Sequence, residues 1–381
     1  MKRLLILGAG NAQYDAITYC KERGHQVFAC SYTDTDRCIP LVDEFRIINI
    51  VDVEGVTAYA KEKEVDCVYS VGSDLAMPTA MEVSRRLALP HFISAQTAKD
   101  CNVKHRFRER LGPQFPGNVP YTLVSTLEEL RGVQSFPVMM KPVDSQGQRG
   151  VFCCKSLEDL EAHFAEAMTH SRSGQLIVER FIQGPEVSLN AYMVAGEMVY
   201  LRLSDRISFD DLPGGIIKEH WVPSRFETPK VSKRLAHRAQ EALRRLEILN
   251  GPAYFQIILE AGEEPFFIEI TPRLDGCHMW NLLKHYDGVD LLEASLEHLL
   301  QGTAPVFPSP KEPKEPLALR FLCQPPKTLV QEATLKTSGS EYYKRCYYQT
   351  GDLVRPLNGH MEKCGYLIEA LHKEAPCIQK L

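Results

Sequence analysis

No stretch of this chain approaches the ~18 consecutive apolar residues of a membrane-spanning helix, so a bilayer protein is not expected. The start, Met1-Lys-Arg-Leu-Leu-Ile-Leu-Gly-Ala-Gly10, has the charges of an export signal, but its apolar run ends after four residues at a glycine turn. It reads as a first strand. Blocks of like charge are also missing: 44 Lys and Arg stand against 49 Asp and Glu, and the net charge of −5 is spread along the chain. Neither a nucleic-acid groove nor a membrane anchor follows from that balance. The 12 cysteines contain no Cys-x-x-Cys pair, and Cys153 and Cys154 are neighbours on a strand that point to opposite faces. That spacing speaks against zinc. Disulfides are not expected in a chain of this size without a secretion signal, which leaves buried free thiols and a cytoplasmic location. No Ser/His/Asp arrangement and no internal repeat is apparent.

What is present divides into three regions, as a length of 381 residues allows. Over residues 1–100 strands and helices alternate: a strand at 3–8, a helix from Ala12 to Arg23 ended by Gly24, and a strand from Gln26 to Cys30. A helix from Val53 to Glu64, a strand from Cys67 to Val71, a helix from Ala76 to Leu87 and a strand at Pro90–Ile93 follow. This is the pattern of a Rossmann-like parallel α/β domain. Its Gly8-Ala-Gly10-Asn-Ala-Gln13 turn lacks the third glycine of a dinucleotide fingerprint, and Ser31 stands where an acidic residue is expected. An NAD-dependent oxidoreductase is therefore the third-ranked reading. Residues 101–307 carry hairpin signals, with a smaller subdomain at about 120–185. Four prolines in Pro308–Pro316 break the pattern. Residues 308–381 then read as short strands, with a final helix near Glu362 to Lys373.

The segment from Gly251 to Arg273 is the most informative. Two apolar runs, Tyr254 to Leu259 and Pro265 to Thr271, flank a Gly/Glu turn. Centring the turn between Gly262 and Glu263 sets Gln256 opposite Glu269 on one face, which Thr271 and Arg273 share by the two-residue strand period. Oxygen ligands beside a cation suit Mg²⁺ on triphosphate oxygens. Four more features fit. Phe136 to Val151 delivers Lys141 into a glycine-containing turn that includes Gly147 and Arg149, whose N–H groups suit phosphate. Leu176 to Ser188 presents Glu179 and Glu186 on either side of Phe181-Ile182. Lys104 opens a basic helix, and Arg273 leads into a turn with Gly276, His278 and Trp280.

In this order, Lys141-Pro with its Gly/Arg loop, Val178-Glu-Arg-Phe with Glu186, Gly251-Pro to Gln256, and Ile268-Glu-Ile-Thr-Pro-Arg273 resemble the ATP-grasp superfamily. The closest likeness is to its carboxylate–amine ligases, such as L-amino acid ligases and the carbamoyl phosphate synthase large subunit. Gly72-Ser-Asp74, Leu89-Pro90, Gly351-Asp-Leu-Val and Gly365-Tyr-Leu-Ile extend the likeness over nearly the whole chain. The resemblance implies an N-terminal Rossmann-like α/β domain, an ATP-grasp domain of two α+β subdomains and a small β-rich C-terminal region. It implies ATP and Mg²⁺ as cofactors, with Lys104, Lys141, Gly147 and Arg149 on phosphates. Glu179, Arg180, Phe181 and Ile182 would form the adenine hinge and Glu186 would meet ribose. Gln256, Glu269 and Thr271 would hold metal, while Arg273 and Lys141 would be catalytic. The family usually carries Asn where Thr271 stands, so one metal or two is left open. Ser73, Asp74, His220, Arg273, Gly276 and His278 are the substrate-side candidates, His220 because the Gly-Gly turn before it interrupts strands.

The expected activity is an ADP-forming ligase that activates a small carboxylate as an acyl phosphate and joins it to an amine. Its partners would be those small molecules, with neither nucleic acid nor membrane. Dimers being the commonest assembly, a homodimer is carried as the expectation. The second reading is an ATP-binding regulatory or scaffolding protein that has lost turnover, for which Thr271 is the best support.

Overall fold

Short apolar runs with no room for a helical turn become a parallel sheet near the N-terminus. β1 (Arg3–Leu7) is buried from Leu4 to Leu7 and pairs in parallel with β2 (Gln26–Ser31) and β4 (Cys67–Tyr69), while β3 (Glu44–Ile47) extends the edge beyond β2. In the computed structural model, which describes residues 1–145, 149–212, 215–308, 315–337, 339–356 and 360–371, the order is β3-β2-β1-β4. Parallel pairing needs crossovers. Two of these are helical, α1 (Tyr14–Glu22) and α2 (Val53–Glu62), and α3 (Ala76–Arg86) leaves the sheet after β4. The glycine turn after β1 is filled by the chain itself. Gln13 accepts from Gly10 N–H at 3.0 Å and donates to the Val71 carbonyl at 2.7 Å.

Two local expectations change. Pro90–Ile93 is irregular, because Phe92 turns inward to pack edge-on against Tyr192 and beside His298, in space that Gly251 leaves by having no Cβ. Glu44–Ile47 is a strand whose charges hid it. Its Arg46 pairs with Glu44 and Glu62 at the sheet edge.

After α4 (Ala95–Asn102) and α5 (Lys104–Leu111), a second sheet is antiparallel throughout. β5 (Tyr121–Val124), β6 (Val138–Pro142), β7 (Phe152–Cys154) and β8 (Leu176–Arg180) lie in the order β5-β8-β6-β7. One face packs on α6 (Leu157–Thr169), capped by Ser156, through a separate cluster that includes Val138, Met140, Leu160, Leu176 and Val178.

The third sheet is the largest. β9 (Glu186–Val194), β10 (Glu197–Ser208), β11 (Ile217–Val222), β12 (Gly251–Glu260) and β13 (Glu264–Thr271) are joined by β14 (Leu317–Gln324), β15 (Tyr343–Cys346) and β16 (Glu362–Ala370). Their order is β13-β12-β9-β10-β11-β14-β16-β15. α7 (Pro229–Arg245) covers one face with Val231, Leu235, Ala239 and Leu243 against Leu189, Ala191, Phe255 and Ile257. α8 (Met279–Asp287) and α9 (Leu291–Gln301) pack with Tyr192, Leu319, Tyr366 and Ile368 in the other cluster. The helix expected near Glu362 is thus a strand. Charges spaced like a helix exterior are overridden by pairing with β14 on one side and β15 on the other. Among the described residues no helix is long and apolar enough to cross a membrane.

Candidate functional site

The hairpin of β12 and β13 pairs Gln256 with Glu269 and Tyr254 with Thr271, as the sequence suggests, but by a different route. Near the turn the register is one residue off the expected one, with Glu260 opposite Glu264. An irregularity between Gln256 and Ile257 restores it. Extra residues of this kind re-aim side chains. Here Phe267 and Ile270, three apart, both reach the core under α7, while Glu269 stays on the opposite face. That face carries a polar row across four strands, Glu269, Gln256, Ser188 and Ser204, in direct register.

Above it opens a cleft of about 370 Å³ between the second and third sheets. Its apolar walls come from Val119, Met139, Phe181, Ile182, Ile258 and Ile268, and its polar groups from Lys104, Lys141, Glu179, Arg206, Gln256 and Glu269, with Asp74 reaching in. Flat apolar walls at one end and converging charges at the other suit a base and a polyphosphate. Lys104 donates to the Ser145 carbonyl at 2.7 Å, which fixes the start of the loop after β6. Burial lowers the pKa of this lysine, and Glu269 partly offsets that.

Glu179 is almost fully buried and bound twice, by Arg108 at 2.9 Å and by Lys141 at 2.6 Å. Burial alone would raise its pKa, but the two cations, Arg108 first, hold it at about 2. Arg108 lies one helical turn from Lys104 on the same face of α5 and also donates to the Phe267 carbonyl. It locks the hinge strand β8 to the hairpin. Arg180 also lines the cleft, and its side chain pairs with Glu260 at 2.6 Å and lies over the ring of Phe266.

Glu269 makes no ion pair among the described residues. Its pKa is raised by burial first and by Asp74 next, with Arg273 and Lys104 opposing. Gln256 spends its amide N–H on Glu186, leaving its carbonyl oxygen for another partner, and the buried Thr271 hydroxyl has no partner among the described residues. Three oxygen donors short of a cation fit a hard divalent ion such as Mg²⁺. Glu186 takes Gln256 and Arg206 on the same oxygen, Oε1, and does not line the cleft.

Other candidates are placed elsewhere. Arg273 turns from the cleft to Asp74, Nε to Oδ1 at 2.6 Å, tying the hairpin to the N-terminal sheet. Ser73 accepts from Ala76 N–H at 3.3 Å, and a Cβ on Gly276 would lie 3.5 Å from the Gly72 carbonyl oxygen, an ordinary contact. His278 is saturated by Asp15 at 3.0 Å and Tyr347 at 2.6 Å and stacks on Tyr366. His220 is wholly buried, and burial followed by Arg206 keeps its ring neutral. Arg149 is exposed at the end of its loop, and Gly147 lies outside the described residues. Arg108 and Arg206 were missed by sequence reading. The i, i+4 spacing from Lys104 and a cation inside a half-buried strand were the available signals.

The cleft lies between two antiparallel sheets, behind a parallel N-terminal domain, and its apolar walls and converging charges are of the kind that suits a nucleotide. Residues 134–280 match the family described as the ATP-grasp domain. The formate-dependent phosphoribosylglycinamide formyltransferase of Prochlorococcus marinus (strain MIT 9303) is 24% identical over 279 residues, 71% of this chain and 69% of that protein. The L-amino acid ligase of Bacillus licheniformis superposes with a TM-score of 0.81 at 18% identity, covering 98% of this chain and 94% of that one. The biotin carboxylase domain dimer of Hydrogenobacter thermophilus 2-oxoglutarate carboxylase, solved with MgADP and bicarbonate, gives 0.79 at 16% identity, covering 97% and 86%. Residues 134–280 are thus similar to an ATP-grasp domain, and the chain shares the fold of the L-amino acid ligase and of the biotin carboxylase domain.

Proposed function

We propose that the protein is an ATP- and Mg²⁺-dependent ligase that transfers the γ-phosphoryl group to a small carboxylate and joins the resulting acyl phosphate to an amine, releasing ADP and phosphate. The observation that carries this reading is the convergence of Lys104, Lys141 and the oxygen donors Gln256 and Glu269 in one apolar-walled cleft, with the buried Thr271 hydroxyl two residues along the strand from Glu269. Phosphoryl transfer needs positioning and charge neutralisation more than a protein nucleophile. In this assignment Lys141, oriented by Glu179, and Lys104 hold phosphate oxygens. The hinge 179–182 meets the base, and Glu269 with Gln256 and Thr271 holds Mg²⁺. The metal supplies Lewis-acid neutralisation of triphosphate charge. Arg273, held by Asp74, stands at the border between this end and the turn carrying Gly276, where the carboxylate would enter. A cytoplasmic homodimer is the proposed setting, supported by the dimeric biotin carboxylase domain of similar fold.

The test is Mg²⁺-dependent ADP release with pooled small acids and amino acids, read with the product mass. A condensed product with ADP is expected. AMP as product, or nucleotide binding without turnover over a broad panel, would overturn the reading; the latter result favours a regulatory ATP-binding protein.

A further inference from the structure

Beside Arg206 a second group of buried donor atoms converges, several of them without a hydrogen-bond partner among the described residues. His220 on β11 is fully buried, and neither ring nitrogen meets hydrogen-bond geometry, although the Asp205 backbone lies beside the ring. Asp275, in the turn after Arg273, accepts from Met279 N–H on Oδ1 at 3.2 Å, while its buried Oδ2 meets hydrogen-bond geometry with no group among the described residues, although the Cys277 backbone lies beside the carboxylate. Cys277 follows, its sulfur accepting from Lys363 Nζ at 3.5 Å. One ligand atom from each of His220, Asp275 and Cys277 lies within 4.8 Å of the other two.

Buried polar atoms without partners are costly, and here several face each other across a common point. A direct His220–Asp275 hydrogen bond would relieve two of them, yet the geometry does not make it. A cation shared by all three residues relieves the whole set. We propose that His220, Asp275 and Cys277 form a site for a borderline-soft divalent ion, Zn²⁺, bound by one imidazole nitrogen, one carboxylate oxygen and one thiolate, with a fourth position open to water or a substrate atom. Imidazole and thiolate select against Mg²⁺, whereas the Glu269 corner offers only oxygen. The chain thus carries a hard site and a soft one side by side. The Met279 N–H and the Asp205 backbone stand where outer contacts orient ligands. Arg206, directly opposite His220 in the β10–β11 register, separates the two sites. Zinc motifs are sought in close sequence spacing, and these ligands come from a strand and a turn far apart in the chain.

The experiment is metal binding by the full chain after chelator treatment, independent of turnover and so of the ligase reading. Co²⁺ is added first, then Zn²⁺ in competition with a chromogenic chelator. Wild type is expected to show a thiolate–Co²⁺ charge-transfer band, to bind one Zn²⁺, and to keep both in excess Mg²⁺. Cys277→Ser should lose the band, and both it and His220→Gln should weaken Zn²⁺ by roughly tenfold or more. Exposed Cys153→Ser serves as the control and should change nothing. Thermal melts of the metal-free variants separate misfolding from ligand loss. Absence of the band in wild type, or a Cys277→Ser variant that binds Zn²⁺ as wild type does, overturns the proposal.

Discussion

Glu179 and Glu269 are carboxylates in one cleft with opposite circumstances. Glu179 sits between Arg108 and Lys141, so removing its charge strands two cations in the interior. Breaking such a buried set costs about 3–5 kcal/mol, and Glu179→Gln should lower stability by that order in a urea melt at pH 7. The pH dependence follows from a carboxyl held at about 2, below its ordinary value. Its contribution is fully present above the unfolded pKa and is lost as pH falls from about 4.5 toward 2, which amounts to roughly 3 kcal/mol. The gap between wild type and Glu179→Gln should therefore narrow from about pH 4.5 downward and close at about pH 2 and below; a constant gap across that range would count against the network. Glu269 makes no ion pair among the described residues and feels the charge of Asp74. Glu269→Ala should cut ADP formation by at least about 100-fold, the scale of a lost charge-stabilising group, while the melting temperature holds or rises. A large loss of melting temperature would mean that the residue is structural.

At the scale of elements, what was legible was local. The hairpin announced itself because strand period and opposed polar residues are neighbour properties, and Gln256 and Glu269 do pair. The irregularity that lets Phe267 and Ile270 share the core answers to the elements packed on that face rather than to the strand's own residues, and left no local mark. β16 was misread for the same reason: its partners β14 and β15, not its own residues, decide its form. Arg108, Arg206, Asp275 and Cys277 acquire meaning only through non-local contacts, whereas Lys104, Lys141 and Glu179 stood in ordered motifs. Tertiary contact also fixes the hinge after β8. A Cβ on Gly184 would lie 2.1 Å from the Leu259 carbonyl oxygen, and that atom is backbone of β12 and cannot turn aside. Gly184→Ala should therefore destabilise by about 1–3 kcal/mol and weaken ATP binding, since the hinge must shift away from the cleft. Unchanged nucleotide affinity by calorimetry would show that the hinge position is not set here.

Across the whole molecule the cores are unequally joined. Leu5, Leu7 and Phe28 of the N-terminal sheet belong to one cluster with Phe255, Phe267 and Ile270, and Leu4 and Ile6 belong to another with Leu319 and Tyr366. Both faces of the first sheet are thus continuous with the third, and Asp74–Arg273 and Asp15–His278 reinforce the joint. The second sheet has its own small core under α6, and Arg108, Lys104 and Arg180 are among the few polar ties that bind it to the rest. Local opening free energy follows the apolar contact that must be broken. Amide exchange should therefore be fastest among strands in β6, β7 and β8, and slowest in β1, β9 and β12. Bound as proposed, ATP with Mg²⁺ would bridge the second and third sheets across the cleft, so it should slow exchange at β6 and β8 far more than at β1. Uniform protection without nucleotide, or equal slowing everywhere on binding, would mean that the second sheet is not an independent unit and that the cleft does not close by its movement.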